Sequence, residues 1–173
     1  MVSKKRIKLA DQIGNELFGA TDGTISALAV VAGVFAATSN IFLTLVAGVS
    51  AIVAEAVSMG FSSYIATGAK ESILKIKEKE RKKEMIKSAV LFWGVTLGGG
   101  SIPIIPFIFS FPSPLMFSLA FSVIFLFLMG AHFAKYTKQN PSVAGLRILV
   151  VGLIAATITY VVGYAFSLIA PFN

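Results

Sequence analysis

Residues 17–67 read LFGATDGTISALAVVAGVFAATSNIFLTLVAGVSAIVAEAVSMGFSSYIAT, and how this stretch is divided decides the fold. As a single helix it would extend about 75 Å at about 1.5 Å per residue, against a hydrocarbon core of about 30 Å, so it must double back. Thr38-Ser39-Asn40 is the polar cluster near its middle and marks the turn. Two further apolar blocks follow, at about 89–134 and about 148–172. By the same arithmetic the second folds at Ser110-Phe111-Pro112-Ser113-Pro114 and the third crosses once. The expected fold class is therefore an all-α integral membrane protein. It has five transmembrane helices, at about 17–38, 41–67, 88–109, 115–134 and 148–169, in a single transmembrane domain over 1–173.

Composition supports lipid as the solvent. Of 173 residues, 56% are hydrophobic, and the mean hydropathy of +0.85 is too high for a soluble domain of this length. The first block far outruns the apolar region of a cleavable signal peptide, about 7–15 residues. The absence of cysteine removes disulfides, thiolate metal sites and thiol catalysis, and leaves methionine as the soft ligand.

The net charge of +7 is distributed in a way that orients the chain. All fifteen Lys and Arg lie within 4–8, 70–87 or 135–147. Five crossings put all of these on one face and leave the opposite turns uncharged, so the N-terminus is expected in the cytosol and the C-terminus outside. This pattern is that of a membrane protein rather than a nucleic-acid surface.

Ahead of the first span, 7–16 reads as a short basic amphipathic helix in the interface, with Lys5, Lys8 and Asp11 facing water. The charged cytosolic connection, 68–87, carries Glu71 before Lys75 and Glu78 before Lys82 at i,i+4 spacing, which predicts helical extensions of the flanking spans. Gly98-Gly99-Gly100 followed by Pro103 and Pro106 predicts a kinked or broken third span, tolerated only where protein or a wet cavity receives the freed backbone groups. Gly94 and Gly98, four residues apart, could let helices approach closely.

Two acids, Asp22 and Glu55, lie inside the apolar blocks. Each would cost about 2.5–3.5 kcal/mol at mid-membrane unless it faces protein or water, which makes both functional candidates. The alternative is that each is protonated or hydrogen-bonded as glue between helices, with Ser58 and Ser62 able to satisfy Glu55 locally. Counted along the helices, Asp22 sits about 6 Å and Met59 about 12 Å inside the cytosolic boundary, with Glu55 one turn deeper on the face of Met59. A carboxylate beside a thioether suits a borderline divalent ion such as Fe²⁺ better than Mg²⁺ or Ca²⁺, which take all-oxygen shells.

Four stretches, DGTISALAVVAGV (22–34), SMGFSSYIATGAKE (58–71), GGGSIPIIPFIF (98–109) and GLIAATITYVVGYAF (152–166), resemble in order and spacing the five-span vacuolar iron transporter family. The resemblance covers nearly the whole chain from about 16 to 168. It implies a homodimer that moves Fe²⁺, and often Mn²⁺, out of the cytosol in exchange for protons. It further implies that Asp22 and Met59 line the path at the dimer interface. Many members carry another acid two turns before the matching methionine, where this chain has Ala51, and Glu55 stands in as the candidate second carboxylate. Many also insert a glutamate-rich metal-binding domain after the second span, and the connection here is too short to hold it, so the chain resembles a short form.

The path candidates are thus Asp22, Met59 and Glu55, with Ser58, Ser26, Glu71 and Glu84 as weaker ones. Glu71, Glu78, Glu80 and Glu84 could be a remnant capture site, but the adjacent lysines outnumber them and would repel a cation, which favours a solvated helix. His132 reads as an interfacial residue with a satisfied ring, or alternatively as a proton relay.

The expected function is proton-coupled transport of divalent iron, or manganese, out of the cytosol. Its partners would be metal ions, protons, lipid and a second copy of the chain, with no cofactor, no catalytic residues and no nucleic acid. The host membrane is expected to be a prokaryotic cell membrane. The alternatives are a non-transporting scaffold or regulator that keeps the fold, a transporter of another divalent metal, and an intramembrane enzyme, for which no motif appears.

Overall fold

The computed structural model describes residues 4–169, with side chains from Gln12 onward. Six helices run in the order α1 (Lys4–Thr38), α2 (Ile41–Ile73), α3 (Glu78–Ser101), α4 (Ile105–Ile108), α5 (Pro114–Thr137) and α6 (Pro141–Ile169). No strand occurs among the described residues.

The turns fall where the polar punctuation predicts. Ser39 takes a left-handed φ of 50°, and Asn40 then caps α2, its Oδ1 accepting the Leu43 N–H at 3.0 Å. The second turn bends at Ser110, φ 49°, and α5 begins on Pro114, where a missing N–H costs nothing. Between α2 and α3 the charged segment is helical except for 74–77, with Lys75 at φ 52°. The expected helical extensions are therefore present. The expected Glu71–Lys75 helix pair is not, because Lys75 lies past the end of α2. Glu78 and Lys82 both stand exposed on the first turns of α3.

The amphipathic helix expected ahead of the first span is not a separate element. One uninterrupted helix runs from Lys4 to Thr38, since nothing between 7 and 22 breaks helical hydrogen bonding. The side chains of Lys5, Lys8 and Asp11 lie outside the described residues.

Four helices are long and apolar enough to cross a bilayer: 12–38, 41–73, 114–137 and 141–169. They mark a multi-pass membrane protein. The fifth expected crossing, 88–109, is divided between the end of α3 and α4, because the chain leaves the helix at 102–104. Pro103, Ile104, Pro106 and Phe107 at this break are buried. The freed Pro103 carbonyl accepts a hydrogen bond from Ser118 Oγ on α5 at 2.7 Å. Protein, not lipid, thus receives the broken backbone.

Helix α1 lies at the centre, packed against α2, α3, α5 and α6. The core is built on its inner face, where Ala27, Leu28, Val31 and Ala32 meet Ile52, Ile104, Phe107 and Ala156. Small residues let α1 approach its parallel neighbours: Gly99 on α3 sits directly against the Ala20 carbonyl, and Gly163 on α6 against that of Gly33. The first contact is sealed by Thr24 Oγ1, which donates to the Gly99 carbonyl at 2.9 Å while also bonding Ala20 at 2.8 Å. Gly94 and Gly98, expected to mediate close approach, face open space instead. Gly99 and Gly100, one and two residues on, do that work.

Candidate functional site

Asp22 and Ser26 are one turn apart on α1, as are Glu55 and Met59 on α2, and the tight turn at 39–40 sets the two helices antiparallel. Ser26 Oγ donates to Glu55 Oε1 at 3.1 Å across the seam. The Glu55 carboxyl also lies within hydrogen-bonding reach of the Asp22 carboxyl. Asp22, Glu55 and Met59 are all half-buried. The two intramembrane acids, 33 residues apart in sequence, therefore form one cluster in which Glu55 meets both Asp22 and the Ser26 hydroxyl. The sequence suggests Ser58 and Ser62 as local partners for Glu55. Both are exposed, and the hydroxyl that meets Glu55 is that of Ser26 on the neighbouring helix.

Met59 does not line the same space as Asp22 within one chain. It lies in a cavity of about 470 Å³ between α1, α2 and α3, together with Phe18, Ser63, Glu71, Glu84 and Ser88. Asp22 lines a shallower groove of about 300 Å³ between α1 and α6, together with Thr21, Ile25 and Arg147. Phe18, one turn before Asp22, lines both, and its ring packs edge-on against Phe92 with centroids 6.1 Å apart. Neither Phe18 nor Arg147 is flagged by sequence reasoning. Phe18 was within reach, since it shares a helix face with Asp22. Arg147 was not, because only the packing of α6 on α1 brings it near.

The solvated-helix reading of the four connection acids holds for two of them. Glu78 and Glu80 are exposed. Glu84 is half-buried against the larger cavity. Glu71 is buried, 5% exposed, and its Oε2 has no hydrogen-bond partner. His132 is exposed, its ring 5.7 Å from those of Phe133 and Tyr136.

Chemically, the Asp22–Glu55–Ser26 cluster offers up to four carboxylate oxygens and a hydroxyl, with Thr21 and Arg147 on the same groove as Asp22. Two carboxyl groups this close can hold one cation or share one proton, because both occupants use the same oxygens. No group of three or more His, Cys, Asp or Glu occurs among the described residues. A cation here would complete its shell with water, with the thioether one turn away, or with donors from a second copy.

Comparison with known families matches the VIT family over residues 14–87 and 69–164, two segments that overlap across the charged connection. An uncharacterized protein of Methanocaldococcus jannaschii is 24% identical over 166 aligned positions, which cover 86% of this chain and 86% of the relative. The similarity thus runs through the elements that carry Asp22, Ser26, Glu55 and Met59 and on through most of α6. The chain belongs to the VIT family, the vacuolar iron transporters that its four motifs resemble.

Proposed function

We propose that the chain is a proton-coupled transporter of divalent iron, or manganese, working as a homodimer of five-span protomers with their charged ends in the cytosol. The observation that carries the reading is the pairing of Asp22 with Glu55 across the α1–α2 seam, held by Ser26 and one turn from Met59. Two acids that would each be expensive in lipid are gathered at one spot, and family membership speaks for transport rather than catalysis. A metal ion held by these carboxylates is displaced when they take up protons, so low pH on the exit side releases the cargo and couples the two gradients.

The homodimer is supported by the outward face of α2. Val46, Val53, Val57, Phe61 and Ile65 are all exposed on it, next to a small-residue stripe at Ser50, Ala54, Ser58, Ser62 and Ala66. A partner packed there would bring two copies of the half-buried Met59 and Glu55 toward one axis, supplying the donors that one chain lacks. The fifth crossing is then α3 with α4, its break sheltered behind α5.

The test is metal uptake into proteoliposomes loaded with an iron-sensitive dye and a pH dye. Addition of Fe²⁺ should give a dye response with an opposing proton movement, and Asp22→Ala should reduce it to the level of empty liposomes. An unchanged flux in Asp22→Ala removes the cluster from the path. Competition by Mn²⁺, Co²⁺ and Zn²⁺ in the same assay ranks the cargo. A scaffold that only keeps the fold would show no rise in thermal midpoint with any divalent ion, whereas a binder must show one by mass action.

A further inference from the structure

We propose that the cavity between α1, α2 and the start of α3 is a second divalent-cation site, separate from the Asp22–Glu55 cluster, with Glu71 as its principal ligand. The starting observation is an anomaly of burial. Glu71 sits at the charged end of α2, where a solvated side chain is expected, yet it is only 5% exposed and its Oε2 is buried without a hydrogen-bond partner. An oxygen in that state gives up its hydration without a hydrogen bond in exchange. A cation or a donor entering the cavity supplies the partner it lacks.

The cavity has the room and the chemistry for that occupant. Its volume is about 470 Å³, and a cation with six waters needs about 180 Å³ at the roughly 30 Å³ each water takes in the liquid. Glu84 lines the same space from α3. Further in, the Ser63 and Ser88 hydroxyls bridge α2 and α3 at 2.6 Å. Met59 lies at the far end, twelve residues or about 18 Å along α2 from Glu71. Along α2 the polar lining therefore runs from the Glu71 carboxylate through the Ser63 hydroxyl to the Met59 thioether. Oxygen donors at the Glu71 end suit a hard, partly hydrated ion such as Mn²⁺. With fewer than three acidic or imidazole ligands grouped together, the ion keeps much of its water and binds weakly. Weak binding suits a station that captures and passes on. Lys70 and Lys87 line the same space and lower the affinity further. The position of this site on the way to Met59 rests on the transport reading; its existence does not.

The test counts bound Mn²⁺ by electron paramagnetic resonance in a titration of the purified full-length protein in detergent, beside Fe²⁺ flux in proteoliposomes. The wild type should show a tighter and a weaker class. Glu71→Gln should abolish the weaker class, keep the tighter one, and raise the half-saturating Fe²⁺ for flux several-fold. Asp22→Asn should do the reverse in binding and abolish flux. Glu71→Gln with wild-type Mn²⁺ binding at all concentrations overturns the proposal, as does a fall in its thermal midpoint with both classes retained, which is the structural role. If Glu71→Gln does not fold, Glu71→Met takes its place: it fills the same space without a carboxylate, and an unchanged weaker class overturns the proposal equally. A Glu71-dependent Mn²⁺ class in a protein with no flux sinks the transport reading and leaves this site standing. Flux with one Mn²⁺ class insensitive to Glu71 does the opposite.

Discussion

Ser26 on α1 donates its hydroxyl proton to Glu55 Oε1 on α2 at 3.1 Å, and so fixes the one carboxyl that faces Asp22. A hydrogen bond to a carboxylate contributes about 1.5–3 kcal/mol where it is well made. At 3.1 Å in a half-buried site the lower end applies. Ser26→Ala should therefore reduce metal affinity at the cluster by about tenfold, while Glu55→Gln, which removes a charge, should cost more. Isothermal titration with Mn²⁺ measures both. Equal affinity in Ser26→Ala and wild type would mean that Glu55 is positioned without Ser26.

The α1–α3 seam gives a test of packing alone. A Cβ at Gly99 would press on the Ala20 carbonyl, whereas one at Gly94 meets nothing within 4 Å. Backbone cannot yield as a flexible side chain would, so Gly99→Ala should destabilise the protein by about 1–3 kcal/mol. Gly94→Ala should leave the midpoint unchanged or slightly raised. Thermal unfolding in detergent compares the two, and a Gly94→Ala protein less stable than Gly99→Ala would place the tight helix contact elsewhere.

These contrasts show which features the sequence makes legible. The turns at 38–40 and 110–114 are readable because Ser, Asn and Pro act locally, through left-handed φ, capping and a missing N–H. The broken third span is readable for the same reason. Two acids in apolar blocks announce themselves by cost alone. What escapes is partnership: that Ser26 rather than Ser58 meets Glu55, that Gly99 rather than Gly98 meets α1, that Glu71 turns inward. Each depends on the rotation of one helix about its axis relative to another, and a shift of one residue turns a helix by about 100°. Tertiary packing sets that angle, and the weak apolar asymmetry of membrane helices leaves little trace of it in the pattern.

The break after α3 depends on one side chain. Ser118 Oγ donates to the Pro103 carbonyl at 2.7 Å, and both residues are fully buried. Ser118→Ala leaves that carbonyl without a partner in an apolar setting, and should cost about 1–3 kcal/mol of stability. Ser118→Thr, which keeps the hydroxyl, should cost less. Thermal midpoints of the two variants decide this, and equal losses would point to volume rather than hydrogen bonding.

Because the chain has no cysteine, single cysteines report on the proposed dimer without a background. Ala54 is exposed in the small-residue stripe of α2, and Ile154 is 54% exposed on α6. If two copies meet along α2, Ala54→Cys in membranes should form a disulfide-linked dimer on mild oxidation, and Ile154→Cys should stay monomeric on a denaturing gel. The reverse pattern would move the interface to α6 and separate the two copies of Met59.

Phe18 is the residue whose removal should join two compartments. It lines both the cavity that holds Met59 and the groove that holds Asp22, and it is braced by Phe92. On the transport reading, this ring borders both spaces and narrows the way for a hydrated ion between them, since its face attracts a cation but offers no oxygen in place of lost water. Phe18→Ala should widen the passage without touching a ligand. Because Phe18 is 53% exposed, the loss of packing should be modest, well under the about 3–5 kcal/mol of a fully buried aromatic. Uptake in proteoliposomes should then rise at saturating Fe²⁺, with little change in the half-saturating concentration, and discrimination against larger hydrated ions should fall. Phe18→Leu, which keeps an apolar plug, should lie between the two. A Phe18→Ala protein that is stable but transports more slowly than wild type would show that the ring guides the ion rather than standing in its way.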